Sequence, residues 1–301
     1  MNIKGMALSS LQTKQTSSRR NFLKAGLFGA AGLAFYSGEV ERHWIDVAHH
    51  DVELRGLPAD LHGLRIVQIS DIQMDDYTEP FFLRRVIERV NQLKPDAVFL
   101  TGDFVTSGKP PNHFAQEAAW KCAGMLKGLE CRSLYAALGN HDISSGSAAI
   151  ESALRGCGIT VIKNSYLPIE RGSGRLWLAG LDDPLVGHPN LDEAIPERIR
   201  GVRNEPLVLL CHAPDYATKV LQHPGGQAVD LMISGHTHGG QIRLPLIGAV
   251  VLPPMGRRFI EGWFQLDRMR LYVNRGIGTI GLPFRLDCPP EITVFNLRAA
   301  A

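Results

Sequence analysis

From residue 41 onward, short apolar runs alternate with stretches whose apolar residues recur at helical spacing. Leu64 to Ile69 reads as a buried strand ending at Ser70-Asp71. Behind it, Leu83, Val86, Ile87 and Val90 fall at i, i+3, i+4 and i+7. This predicts a helix that starts near Pro80 and is stopped by Lys94-Pro95-Asp96. Ala97 to Leu100 is the next strand, a helix follows around Gln116 to Leu126, and Leu134 to Leu138 is a strand running into Gly139-Asn140. Ala148 to Arg155 is helical, with Gly156 and Gly158 at its end. Beyond it the pattern becomes strand-rich. Strands are expected at Ile159–Ile162, Leu176–Leu181, Leu207–Cys211, Leu231–Ser234, Leu271–Asn274 and Ile292–Leu297, with short helices at Leu191–Ile199 and Tyr216–Leu221. Such a chain predicts an α/β fold of two packed mixed sheets flanked by helices. No linker or repeat divides it, so residues 41–301 are expected to form a single domain.

Five polar clusters follow these elements, most of them directly behind a strand: Asp71-Ile72-Gln73, Gly102-Asp103, Gly139-Asn140-His141-Asp142, His212, and Gly235-His236-Thr237-His238. In α/β sheets, ligands bind where loops leave the carboxyl ends of strands. Hard carboxylate and amide oxygens mixed with imidazole nitrogens suit divalent metal ions. Two such ions activate water near neutral pH and stabilise both oxygens of an in-line displacement at phosphorus. His236 and His238 are two apart, so an extended backbone would put both side chains on one face. The glycines allow tight turns and close backbone approach.

Composition adds little until it is divided along the chain. The 301 residues are 45% hydrophobic and 21% charged, enough to bury a sizeable core. The formal charge of +2 is uneven, because residues 1–36 hold Lys4, Lys14, Arg19, Arg20 and Lys24 and no acid. Without those five, 27 Lys and Arg face 30 Asp and Glu, a slightly acidic body with no electrostatic footprint for nucleic acid. Ser18-Arg19-Arg20-Asn21-Phe22-Leu23-Lys24 precedes a 12-residue apolar stretch, Ala25 to Tyr36. This order resembles a twin-arginine export signal, and the stretch is short beside the roughly 20 residues of a membrane span. Residues 1–40 are therefore expected to hand the folded chain to the twin-arginine export machinery and place it in the periplasm or another extracytoplasmic compartment. Gly32-Leu33-Ala34 offers a cleavage site; an uncleaved segment would instead tether the protein to the membrane. Five cysteines with no C-x-x-C pair argue against a disulfide framework.

The order Asp-x-Gln, Gly-Asp, Gly-Asn-His-Asp, His, Gly-His-Thr-His resembles the calcineurin-like metallophosphoesterase superfamily. That pattern has Asp-x-His, Gly-Asp, Gly-Asn-His-Asp/Glu, His and Gly-His-x-His, so four of the five blocks match across residues 71–238. The strings Ser234 to Gln241, Arg275-Gly276-Ile277-Gly278 and Pro289-Pro290-Glu291-Ile292 resemble a branch of small bacterial phosphodiesterases, often exported by the twin-arginine route. The resemblance implies a four-layer sandwich and a phosphoester substrate, phosphodiester or phosphomonoester, hydrolysed by a hydroxide bridging two divalent metal ions (Mn, Fe, Zn or Mg). It implies that Asp103 bridges both ions. Asp71, Gln73 and His238 complete one site, and Asn140, His212 and His236 the other. His141 is then the general acid on the leaving oxygen, with Asp142 a candidate to orient its imidazole.

Gln73 is the departure, standing where the pattern has His. An amide oxygen binds softer divalent metals less strongly than imidazole. Three arrangements follow: coordination of a harder ion through oxygen, a hold on a metal-bound water, or a weak second site. Two other functions stay open, a pyrophosphohydrolase acting on a nucleotide-activated acylated sugar and a non-catalytic metal-binding protein on the same fold. The apolar segment Leu244 to Pro254 bears on the first. It reads either as a buried hairpin and loop or as a face toward acyl chains or membrane.

Overall fold

A computed structural model describes residues 13–74, 78–107, 113–202 and 205–299. Its central strands are continuous apolar runs because they are covered on both faces. In the run Leu207-Val208-Leu209-Leu210 every residue is buried, with Val208 and Leu210 in one core and Leu207 and Leu209 in another. Such alternation is the two-residue period of a strand.

The strands in chain order are β1 (Asp46–Leu54), β2 (Arg65–Ile69), β3 (Ala97–Leu100), β4 (Leu134–Ala136), β5 (Thr160–Val161), β6 (Ser165–Arg171), β7 (Gly174–Gly180), β8 (Leu207–Leu210), β9 (Leu231–Ser234), β10 (Arg243–Leu244), β11 (Gly248–Ala249), β12 (Gly262–Leu266), β13 (Met269–Val273) and β14 (Glu291–Ala299). One six-stranded sheet has the order β1-β14-β2-β3-β4-β5, the other β12-β13-β9-β8-β7-β6. Both are mixed. β2 to β5 run parallel while β14 pairs antiparallel to β2; β7, β8, β9 and β13 run parallel between antiparallel edges.

Three apolar layers hold the sandwich. The middle one joins the sheets through Ile66, Phe99 and Phe295 on one side and Leu178, Val208 and Ile233 on the other. The first sheet's outer face is covered by α2 (Pro80–Leu93), α3 (His113–Leu126) and α5 (Ser147–Gly156). The second is covered by α6 (Leu191–Ala194), α7 (Ala217–Gln222) and the short turn at Ile199. Helix α2 shows why its sequence helps fix this layer. Its Phe82, Leu83, Val86, Ile87 and Val90 form one buried face, each contributing about 1.5–3 kcal/mol on burial. Pro80 sits in its first turn, where the missing N–H costs nothing.

At their carboxyl ends the two sheets meet. The Gln68 amide donates to Thr101 Oγ1 at 2.8 Å and to the Ser234 carbonyl at 2.9 Å, linking β2, β3 and β9. The loops carrying all five polar clusters therefore converge at this one rim.

Two expectations need correction. Leu244 to Pro254 does form a hairpin, β10-β11, but it is not buried: Leu246 is fully exposed and Ile247 is 73% exposed. His236 and His238 share a site without an extended backbone. Both have positive φ, 75° and 50°, and a short helical turn begins at His238. At the N-terminus, Thr13–Phe35 forms a single helix, α1, exposed from residue 19. No helix among the described residues is long and apolar enough to cross a membrane. The chain joins the body at Ser37, whose carbonyl accepts the Arg285 N–H, and at buried Glu41, which accepts the Cys288 N–H. The five cysteines are unpaired thiols.

Candidate active site

Asp71, Gln73, Asp103, His212, His236 and His238 are buried at this rim. Five of the twelve non-glycine residues with positive φ among the described residues belong to this set: Asp71, Gln73, Asp103, His236 and His238. Such backbone costs about 1–2 kcal/mol per residue, and its concentration here marks a functional site. Two glycines are dictated by crowding. A Cβ on Gly139 would collide with the Asp103 carboxylate, and one on Gly235 with Ser70 Oγ and the Asp71 carboxylate.

The three imidazoles each have one nitrogen fixed by a backbone carbonyl, which can only accept. His212 Nδ1 donates to Thr101 O at 2.7 Å, His236 Nε2 to Pro254 O at 2.8 Å, and His238 Nδ1 to Gly278 O at 3.3 Å. The other nitrogen of each is turned into the site. His212 Nε2 lies 3.2 Å from Asp103 Oδ2 and 3.2 Å from His236 Nδ1, and His238 Nε2 lies 3.4 Å from Asp71 Oδ1. This is how metal-binding histidines are oriented by a second hydrogen bond. Ligand atoms of Asp103, His212 and His236 all fall within 4.8 Å of one another. Asn140 Oδ1 is buried without a hydrogen-bond partner, so a naked amide acceptor stands beside them. These residues fit divalent cations.

The electrostatics agree. Burial disfavours the charged form of Asp103, but the His212 charge and hydrogen bond, with His141 and His236 behind them, hold this carboxylate well below the ordinary range. Burial likewise opposes charge on His212, yet Asp103, Asp71 and Asp183 pull its pKa well above 6.5. His238 is pushed down to about 4 by burial, and His236 is lowered by burial and by His212, which leaves both imidazoles neutral and able to offer a nitrogen to a cation.

Gln73 does not offer its oxygen to the site. Its Nε2 donates to Asp103 Oδ2 at 3.0 Å and its Oε1 accepts from Thr106 Oγ1 at 2.7 Å. The assignment of amide oxygen and nitrogen follows from this network, since a threonine hydroxyl can serve either atom and the carboxylate only the NH2. Coordination through Oε1 would require the amide to turn and give up its hold on Asp103.

Asp142 does not orient His141. Its carboxylate accepts the N–H groups of Asp103 at 2.8 Å, Phe104 at 2.9 Å and Gly139 at 2.9 Å, splinting the loops that present the ligands. The imidazole is fixed by Ser107, whose N–H lies 2.9 Å and whose Oγ lies 2.7 Å from His141 Nδ1. An N–H donor on Nδ1 leaves the proton of neutral His141 on Nε2. Sequence reasoning missed Thr106 and Ser107, which stand in a polar loop with no periodic signal. It also missed Asp183, buried and with Oδ2 unpartnered. Asp183 was findable, because it follows the apolar run Leu176 to Leu181 just as the recognised clusters follow theirs. Arg285 is fully buried and donates to the carbonyls of Arg275, Gly276, Gly278 and Cys288, bracing the loop against Asp71 and Gln73.

Known proteins resemble this chain. Residues 64–240 match the family model for calcineurin-like phosphoesterases. The chain is 36% identical over 295 residues to the uncharacterized metallophosphoesterase YkuE of Bacillus subtilis, covering 94% of this chain and 98% of that protein. It is 30% identical to the phosphodiesterase YaeI of Escherichia coli, covering 93% and 99% respectively. A more distant relative, 27% identical over 79% of this chain and 84% of its own length, is the UDP-2,3-diacylglucosamine pyrophosphatase LpxG of Chlamydia trachomatis. Among solved structures, the NAD nucleotidase NadN of Haemophilus influenzae shares the fold with a TM-score of 0.50 at 16% identity, over 71% of this chain and 45% of that one. With the family's blocks gathered at one rim and the family model spanning more than half its length, this chain belongs to the calcineurin-like phosphoesterases and is a metal-dependent phosphoester hydrolase.

Proposed function

We propose that this protein hydrolyses a phosphodiester or phosphomonoester at a two-metal centre built on Asp103. The observation that carries this reading is the trio of imidazoles, each pinned by a carbonyl and aimed inward beside the unpartnered Asn140 oxygen. Asp103 would be shared, with Asp71 and His238 on one side and Asn140, His212 and His236 on the other. Divalent cations held there supply Lewis acidity to the phosphoryl oxygens and lower the pKa of water. The chain's own residues do the rest. Asp103 also accepts the His141 N–H at 2.9 Å, which fixes the start of the 140–144 helical turn. His141, its ring fixed at Nδ1 by Ser107, lines the cavity and in its protonated form is placed to give a proton to the leaving oxygen.

This assignment has a signature. His141→Ala should lower kcat/KM about a thousandfold for an ester with an alkyl leaving group, and less than about tenfold for one that releases p-nitrophenolate, which needs no proton. Equal losses on both would refute the general-acid role.

Gln73 sets the strength of the Asp71 and His238 side. Gln73→His removes the amide donor from Asp103 Oδ2 and adds an imidazole nitrogen, so metal affinity at that side should rise about tenfold or more. Isothermal titration of the metal-free protein with Mn and Zn reads this directly; unchanged affinity and stoichiometry would sink it.

The Arg19-Arg20 pair followed by Phe22, Leu23 and Lys24 supports export by the twin-arginine route and a periplasmic or other extracytoplasmic location. A pyrophosphatase acting on an acylated nucleotide sugar is the second reading, favoured by the apolar wall beside the site.

A further inference from the structure

The candidate active site opens into a cavity of about 490 Å³ whose two walls differ in kind. One carries Asp103, Asn140, His141, His236 and His238; the other is apolar, formed by Ile242, Val250, Val251, Pro254, Ile280 and Leu282. The apolar wall continues onto the surface. Val251 is 75% exposed and Leu282 56%, and the adjoining hairpin ends in exposed Leu246 and Ile247. Contiguous exposed apolar surface of this sort marks an interaction site in a folded protein.

Two further features adjoin residues next to this wall. Helix α1 exposes Phe22, Leu23, Leu27 and Phe28 together with Arg19, Arg20 and Lys24. It meets the body where Ser37 bonds to Arg285 and Gly38 lies against the Phe284 ring, two residues from Leu282. On the other flank, Arg257 and Arg258 are exposed directly after the Pro253 to Gly256 loop, which touches His236 and Thr237. An apolar surface bordered by cations is complementary to a membrane carrying anionic headgroups.

We propose that the site acts on phosphoesters bearing a long alkyl or acyl chain, which it takes from a lipid surface. The apolar wall holds the segment of chain next to the phosphate. The Leu246-Ile247 tip and α1 rest in the interface, and Arg257 and Arg258 add attraction to anionic headgroups. In the step itself a water oxygen bonds to phosphorus, the bond from phosphorus to the leaving ester oxygen breaks, and the water proton ends on that oxygen. This inference rests on the reading of the site as a phosphoester hydrolase.

The test uses the full chain loaded with Mn and a series of p-nitrophenyl alkyl phosphates from two to twelve carbons, kept below their micellar concentrations. Each methylene buried against the wall gives up to about fourfold in kcat/KM, or about 0.8 kcal/mol, so a rise of at least tenfold across the series is expected. Val251→Asp should lower the ratio of twelve-carbon to two-carbon efficiency at least tenfold. Leu246→Ser combined with Ile247→Ser should lower sedimentation with phosphatidylglycerol–phosphatidylcholine vesicles at least fivefold. These side chains are exposed, so neither variant disturbs the core. Flat efficiency along the series, or no sedimentation of the unaltered protein with vesicles, overturns this inference while the hydrolase reading stands. No hydrolysis of any ester, the two-carbon one included, overturns the hydrolase reading and takes this inference with it.

Discussion

Asp103→Asn should reduce metal-dependent hydrolysis of bis(p-nitrophenyl) phosphate about a thousandfold, equivalent to about 4 kcal/mol of barrier. The substitution removes one charge and keeps nearly everything else. Residue 103 has φ of 55°, a conformation asparagine accepts readily, and its backbone N–H still reaches Asp142. The retained oxygen can still receive the His141 N–H. What disappears is the anionic Oδ2, which faces the Gln73 amide at 3.0 Å and His212 at 3.2 Å. An amide NH2 there would oppose the Gln73 donor and could not be shared between two cations. Metal content measured by mass spectrometry should fall together with activity, while the circular dichroism spectrum stays that of the parent. Activity within tenfold of the parent would refute the shared-ligand role of Asp103.

Much of this site was legible because the sheet topology repeats one rule. Parallel strands buried on both faces appear as unbroken apolar runs, and each run delivers its next polar residues to the same rim. Strands β3 and β9 were located to the residue from that signal alone. Strands β1, β6 and β12 were not, and for one reason. Each is an edge strand in which most residues are only partly buried or exposed, so its sequence is mixed rather than apolar; His49-His50-Asp51 in β1 is the extreme case. The residue types gathered at the rim were readable, but the groups that orient them were not. Three of the imidazoles are aimed by backbone carbonyls of Thr101, Pro254 and Gly278, and a carbonyl leaves no mark in a sequence. For the same reason His236 and His238 were assigned an extended backbone. Two residues with positive φ bring them to the same place by a turn. The hairpin at β10-β11 shows the limit of hydropathy. Its apolar residues read either as a buried hairpin or as an outward face, and the structure presents them outward beside the site.

Asp142→Ala should cost more stability than any other single change in the site, about 4 kcal/mol, seen as a fall in Tm of about 10 °C. The reason lies in what its carboxylate holds. The N–H groups of Asp103, Phe104 and Gly139 are buried with it and lose their acceptor when it is gone. Each buried N–H left without a partner costs about 1–3 kcal/mol. Burial and the neighbouring Asp103 carboxylate push the Asp142 pKa upward, while the hydrogen bond from Gly139 opposes them; the splint therefore holds against electrostatic resistance. Its loss frees the loop at Asp103 and the turn at Gly139-Asn140 together, so metal affinity should decline in the same variant. Had Asp142 served to orient His141, Asp142→Ala would lower kcat and leave Tm and metal affinity in place. Differential scanning calorimetry with a metal titration separates the two outcomes, and an unchanged Tm would return Asp142 to the role of orienting the imidazole.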